Sequence, residues 1–148
     1  MKKTCEIAVT VNGTVYEAAV EPRLLLADFL RCEHGVCGAC TVLVDGDSAR
    51  SCLMLAVQAD GRNVETVESL GSIAQMNALQ KSFHAHHALQ CGFCTPGMLM
   101  TATDFLRKYP LATDDDIRKG LSCNLCRCTG YEHIVKAIRA VVKAGENP

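Results

Sequence analysis

The stretch CEHGVCGAC occupies residues 32–40, and a fourth cysteine, Cys52, follows twelve positions after it. This spacing, C-x4-C-x2-C with one distant cysteine, is that of plant-type [2Fe–2S] ligands. Zinc bound by four cysteines also uses C-x2-C pairs, but zinc ligands usually come as two short pairs separated by a finger. The stretch therefore predicts an iron–sulfur site with zinc as the alternative. Its ligands are Cys32, Cys37, Cys40 and Cys52.

Two glycines in this stretch, Gly35 and Gly38, suit a loop that wraps closely around a cluster. Without a Cβ, each can adopt backbone angles that other residues avoid, and the loop can turn its N–H groups toward sulfur. Such N–H donors, together with charge and exposure, tune the reduction potential of a cluster.

A second group of cysteines lies in the other half of the chain, as Cys91-x2-Cys94 and Cys126-x-Cys128. The first pair precedes a helix predicted to start at Pro96, and the second a helix predicted to start near Thr129. Helix N-termini stabilise anions through their dipole and free N–H groups. The spacings alone leave both zinc and an iron–sulfur cluster open.

Composition narrows the class of protein further. Ten cysteines in 148 residues could indicate a disulfide framework, but they bunch in tight groups and no apolar signal segment opens the chain, which favours metal. A net charge of −1, 5% aromatic residues and no Trp argue against nucleic-acid binding. No stretch approaches the roughly 18 apolar residues of a membrane span. We therefore expect a cytoplasmic protein.

The first half of the chain has the pattern of strands. Alternating apolar residues on both sides of Asn12-Gly13 predict a β-hairpin, because this dipeptide suits a primed turn. A short helix is predicted over 24–30, a strand over 41–44, a mostly extended segment over 49–57 and a last strand over 63–67.

In the second half of the chain, apolar residues recur with the spacing typical of helices. Thr95-Pro96 predicts an N-cap with proline at the first helical position, Thr113 precedes an acidic first turn, and Thr129 with Glu132 predicts a capping box. The change from a strand-like to a helix-like spacing of apolar residues predicts an α+β protein with two units, residues 1–72 and 73–148.

Three motifs, in this order, resemble the small subunit of the xanthine oxidase family of molybdenum hydroxylases, and the resemblance covers nearly the whole chain. They are CEHGVCGACTVLVDG at 32–46, QCGFCTPGM at 90–98 and NLCRCTGY at 124–131.

The resemblance implies a β-grasp, plant-ferredoxin-like N-terminal domain and a C-terminal four-helix domain, each with one [2Fe–2S] cluster. It implies a large subunit that holds molybdenum with a pterin dinucleotide, and in many such enzymes a medium subunit that holds FAD. Electrons would pass from molybdenum through the helical-domain cluster and the ferredoxin-like cluster to FAD or another acceptor. This subunit would then be non-catalytic, and the substrate would be oxidised on the partner.

Carried over by motif position, Cys91, Cys94, Cys126 and Cys128 would ligate the second cluster. Cys128 would be the ligand nearest to the pterin, and Gln90 would hydrogen-bond the pterin. Two cysteines remain. Cys5 is predicted to be a small core residue. Cys123 stands where the family motif has glycine, and it could compete with the assigned cysteines as a ligand of the second cluster.

The chain departs from the family directly before the first motif. A predicted helix reaches Arg31, and Cys32 follows at once, whereas the family has about ten residues there, which leaves no room for a helix C-cap. Two explanations stay open, a genuine deletion with a remodelled helix end or a stretch missing between Arg31 and Cys32, and we expect the second. Two rival functions stay open at this point: a free-standing ferredoxin, and a zinc-organised scaffold without redox chemistry.

Overall fold

A computed structural model describes residues 4–29 and 35–146. Cys32, the end of the predicted 24–30 helix and the junction between Arg31 and Cys32 therefore lie outside the described residues. The missing stretch expected at that junction stays a prediction.

Five strands form one mixed sheet in the first half of the chain. They are β1 (Cys5–Val11), β2 (Thr14–Val20), β3 (Thr41–Val44), β4 (Asp47–Arg50) and β5 (Asn63–Glu65). The strand order is β2-β1-β5-β3-β4, in which β1 and β5 pair in parallel and the other neighbours pair antiparallel. The predicted hairpin is confirmed: Val11 pairs with Thr14, and Asn12 and Gly13 both have positive φ, as a type I′ turn requires.

The segment after β4 differs from the sequence prediction. Residues 49–57 were expected to be mostly extended, but two short 3₁₀ turns, Ser51–Leu53 and Ala56–Ala59, follow Arg50. The first turn carries Cys52 inward to 2% exposure. A similar 3₁₀ turn, Leu26–Phe29, stands within the predicted 24–30 helix, and another, Val67–Leu70, follows β5.

Within the described residues, four α-helices follow the sheet, which confirms the α+β class. They are α1 (Ala78–Ala85), α2 (Thr95–Lys108), α3 (Asp114–Gly120) and α4 (Glu132–Ala144). The Thr113 prediction is confirmed, because this residue caps α3 in a capping box with Asp116. None of the helices in the described ranges is long and apolar enough to span a membrane.

Two helix starts were predicted wrongly. Thr95 is the first residue of α2 rather than its cap, and Cys94 takes the N-cap position. Helix α4 begins at Glu132, after Tyr131 in the left-handed region with φ of 67°, so Thr129 does not cap it. The hydroxyl of Thr129 instead contacts Cys126 Sγ at 3.0 Å and accepts a hydrogen bond from the backbone N–H of Tyr131.

The described residues form two apolar clusters, one in each half of the chain. One packs the sheet around Val9, Val42 and Val64, and the other packs the four helices around Leu79, Met98 and Ile138. Val67 and Leu70 pack against the helical cluster although they precede residue 72. The division into units 1–72 and 73–148 stays a prediction.

Candidate metal centres

The first candidate centre lies where the loop before β3 meets the turn after β4. Cys40 Sγ and Cys52 Sγ are 3.2 Å apart, and Cys37 lies in the same loop. The loop turns through Gly35 and Gly38, whose φ angles of 71° and 73° are those that glycine adopts without strain. Cys52 is buried at 2% exposure, whereas Cys37 and Cys40 are half-buried.

Hydrogen bonds around this centre favour a thiolate at Cys40. Burial by itself raises the pKa of Cys40, but hydrogen bonds from the Cys52 backbone and side chain and from Ser51 outweigh it, and the charge of Arg50 adds to them. The net pKa of Cys40 is lower than usual. A sulfur that accepts such hydrogen bonds is suited to ligate a metal, because the thiolate is the ligand form.

The second candidate centre joins the segment before α2 to the loop before α4. Cys91 Sγ and Cys128 Sγ are 3.5 Å apart, and Cys94 and Cys126 are close enough to shift each other's pKa. The loop before α4 is braced by Tyr131. Its hydroxyl accepts from the Cys126 backbone N–H at 2.9 Å and donates to the Asn124 carbonyl at 3.0 Å.

Each pair at the second centre has one sulfur with a lowered pKa and one with a raised pKa. The Phe93 backbone N–H lowers the pKa of Cys91, and its hydrogen-bond partner Cys128 has a raised one. Burial raises the pKa of Cys94 to about 12. Burial also opposes ionisation of Cys126, but hydrogen bonds from Thr129 and from the Cys128 N–H lower its pKa overall.

The sulfurs meet in pairs, which bears on the metal that they fit. A tetrahedral ion that binds thiolates at about 2.3 Å holds any two of them about 3.8 Å apart. The separations of 3.2 Å and 3.5 Å are somewhat shorter than that spacing, and they bring the two sulfurs of each pair within reach of one ion. Within 4–29 and 35–146, no three histidine, cysteine or acidic side chains are arranged around one ion. Pairs of thiolates suit a two-iron cluster, in which each iron takes two protein sulfurs.

The two candidate centres are neighbours. The Leu125 N–H, directly before Cys126, donates to the Cys37 carbonyl at 2.8 Å. A depression beside Cys37 and Cys40 is also bordered by Phe93 and Pro96, which belong to the segment of the second centre. Helix α2 touches the first loop directly, since a Cβ added at Gly97 would lie 2.0 Å from the Gly38 carbonyl oxygen.

The other sequence predictions have mixed outcomes. Gln90 is exposed and directly precedes Cys91. Cys128 lies four residues before α4, so only the Cys91 and Cys94 segment leads directly into a helix N-terminus. Cys5 is exposed at the start of β1, so its assignment to the core was wrong. Cys123 is exposed as well, and its carbonyl accepts a hydrogen bond from Arg50.

Sequence reasoning missed Arg50, Asn124 and Tyr131 as structural partners of the cysteine loops. Their hydrogen bonds join residues up to 86 positions apart, as from Asn124 Nδ2 to the Gly38 carbonyl. The only local signal was that Asn124 and Tyr131 flank the Cys126-x-Cys128 motif.

The chain matches a family model described as a [2Fe-2S] binding domain over residues 66–139. It is 52% identical to caffeine dehydrogenase subunit gamma of Pseudomonas sp. (strain CBB1), with 91% of this chain and 89% of that protein covered. It is 53% identical to the nicotine 6-hydroxylase small subunit of Paenarthrobacter nicotinovorans, with 90% and 87% covered. The first alignment runs over 149 positions, so the relative has residues without a counterpart in this 148-residue chain.

Two solved structures are also similar to this chain. Quinoline 2-oxidoreductase from Pseudomonas putida 86 superposes with a TM-score of 0.87 and 51% identity, and 96% of each chain is covered. Aldehyde oxidoreductase from Desulfovibrio gigas also superposes with a TM-score of 0.87, at 34% identity. There, 96% of this chain corresponds to 18% of a longer chain.

Proposed function

This chain belongs to the small iron–sulfur subunits of the xanthine oxidase family of molybdenum hydroxylases, and from that premise we propose that it relays electrons through two [2Fe–2S] clusters. In the proposed complex a large subunit holds molybdenum with a pterin dinucleotide. The acceptor is FAD on a medium subunit or another acceptor. Each cluster, when bound, supplies one reversible electron-accepting centre, and the chain's residues hold both clusters close together.

The observation that carries this proposal is the meeting of cysteine sulfurs in pairs at two neighbouring places. Cys40 and Cys52 form one pair, and Cys91 and Cys128 form another. The first centre would use Cys32, Cys37, Cys40 and Cys52, and the second would use Cys91, Cys94, Cys126 and Cys128. One cluster would suffice for a simple ferredoxin, whereas a second cluster beside it suits a relay between two partners.

Exposure supports a direction for the relay. Cys91 and Cys128 are exposed, as is Gln90, and Phe93 beside them is 75% exposed. Cys52 of the first centre is buried. We propose that the large subunit covers the exposed edge, where Gln90 would hydrogen-bond the pterin and Cys128 would be the nearest cluster ligand. An exposed aromatic side chain beside exposed ligands is typical of a surface that a partner covers.

The finer description of the fold belongs to the same proposal. We assign residues 1–72 to a β-grasp domain of the plant-ferredoxin type and residues 73–148 to a four-helix domain. The mixed sheet order and the four helices support that assignment. A cytoplasmic location stays a prediction.

The proposal is tested on the purified complex and on this chain purified alone. The isolated chain should accept electrons from dithionite but oxidise no organic substrate, because substrate chemistry belongs to the large subunit. Size-exclusion mass of the native complex should show stable association with the molybdenum subunit. Substrate turnover by the isolated chain, or a native mass equal to this chain alone, would contradict the relay.

Two ligand variants separate the clusters. Cys52→Ser should alter or remove one reduced-state EPR signal and Cys91→Ser the other, with Cys123→Ser as the control that leaves both unchanged. In the complex, Cys91→Ser should stop electron transfer from substrate to acceptor. If either ligand variant keeps both signals unaltered, the ligand assignment is wrong.

A further inference from the structure

Side chains from the sheet and from the helices meet between the two cysteine loops. Arg50, the last residue of β4, donates through Nη1 to Thr41 Oγ1 on β3. Through Nη2 it donates to the Cys123 carbonyl at 2.5 Å and contacts Asn124 Oδ1 at 3.4 Å. One guanidinium thus binds both halves of the chain, 73 positions apart.

Asn124 makes the matching contacts from the other side. It is 1% exposed, and its Nδ2 donates to the Gly38 carbonyl at 3.2 Å. Its Oδ1 accepts from Thr101 Oγ1 of α2 at 2.9 Å. Buried amides that lose such partners are costly, so these contacts favour one relative placement of loop and helix.

The positions of these contacts matter because the ligands lie next to them. Gly38 stands between Cys37 and Cys40, and Arg50 stands two residues before Cys52. Asn124 stands two residues before Cys126, and its neighbour Leu125 also donates to the Cys37 carbonyl. The contacts of Arg50 with Cys123 and Asn124, and those of the 124–125 segment with the 37–38 loop, join a segment that carries ligands of one centre to a segment that carries ligands of the other.

We propose that Arg50 and Asn124 form a latch that fixes the distance between the two clusters, and that the charge of Arg50 raises the reduction potential of the first cluster. The inference rests on the proposed function, since it requires both clusters to be bound. Arg50 and Asn124 are positioning residues: neither ligates a metal, and each acts through the loops that do. A positive charge beside a cluster favours the reduced, more negative state.

Lysine cannot replace arginine in this arrangement. The guanidinium presents donors in a fixed fork, so one side chain can reach Thr41 and Cys123 at once, whereas an ammonium is a point charge on a flexible stem. Arg50→Lys therefore keeps the positive charge but loses the planar arrangement of donors that reaches both partners. Arg50→Gln loses both.

The test uses the assembled complex, with both clusters reduced by dithionite, and measures iron content, EPR and midpoint potentials. Two reduced clusters interact magnetically with a strength that falls as the cube of their separation. We expect Arg50→Lys and Arg50→Gln to weaken the resulting splitting, and only Arg50→Gln to lower the potential of the first cluster. Arg139→Lys is the matched control, because Arg139 also binds a backbone carbonyl, that of Ala112, but lies within the helical half.

The outcomes distinguish the latch from the relay itself. Fewer than two clusters in the unaltered chain would refute the proposed function. Two clusters with an unchanged splitting in both Arg50 variants would refute the latch. If the Arg50 variants do not assemble, Asn124→Ala removes the amide that donates to the Gly38 carbonyl. A splitting unchanged in that variant would refute the latch as well.

Discussion

Gly97→Ala should destabilise the protein although alanine is the better helix former. Gly97 is the third residue of α2 and is buried against the first cysteine loop. The added Cβ would lie 2.0 Å from the Gly38 carbonyl oxygen and 2.9 Å from Ala39 Cα, and both are backbone atoms. Cβ contacts under 3.0 Å are essentially never seen, so helix and loop must separate by about 1 Å.

The magnitude follows from two opposing effects. Overpacking of this kind costs about 1–3 kcal/mol, and replacing glycine by alanine within a helix returns about 1 kcal/mol. The two ranges together give a net loss of up to about 2 kcal/mol. Displacing the Gly38 carbonyl also disturbs its hydrogen bonds from Thr41 and Asn124, so the first centre should be affected more than the second.

The assay is anaerobic thermal unfolding of the chain with its clusters bound, together with EPR of the reduced protein. Gly97→Ala should unfold at a lower temperature, and the signal of the first cluster should change. Gly120→Ala is the control, because the atoms nearest to its Cβ belong to the half-buried side chain of Phe105 rather than to the backbone. A Gly97→Ala variant that is as stable as the unaltered chain, with both signals intact, would refute the reasoning.

Three further predictions concern single side chains. Tyr131→Phe removes the hydroxyl that hydrogen-bonds the Cys126 N–H and the Asn124 carbonyl, and it should lower the free energy of unfolding by about 1–2 kcal/mol. The EPR signal of the second cluster should change as well. An unchanged signal would argue against a bracing role for this hydroxyl. Cys5→Ser and Cys123→Ser should keep the full iron content, because both residues are exposed outside the sulfur pairs, and lost iron would make either one a ligand. Thr113→Ala should cost about 1 kcal/mol through the lost N-cap of α3 and leave both signals unchanged, as thermal unfolding and EPR would show.

Features with a local cause could be predicted from the sequence. The Asn12-Gly13 turn and the Thr113 cap each depend on a few adjacent residues, so their patterns were sufficient. The cysteine spacings placed Cys40 with Cys52 in one group and Cys91 with Cys128 in another, and the sulfurs of each pair lie 3.2 Å and 3.5 Å apart, whereas the full ligand sets stay a prediction.

Features that depend on the cysteine loops could not be predicted in the same way. The Thr129 and Glu132 pattern of a capping box was misleading, because the Thr129 hydroxyl contacts Cys126 and the helix begins three residues later. The segment after Arg50 turns instead of continuing as a strand, which brings Cys52 to Cys40. The contacts of Arg50 with Cys123 and Asn124 depend on the packing of the two halves, which no local pattern records.

The measurement that tests the relay most directly is the metal content of the chain as purified anaerobically, read together with EPR of the reduced protein. Eight cysteines in two sets of four predict about four irons and four acid-labile sulfides per chain, with two distinguishable signals. Two irons with a single signal, or stoichiometric zinc without labile sulfide, would contradict the two-cluster relay.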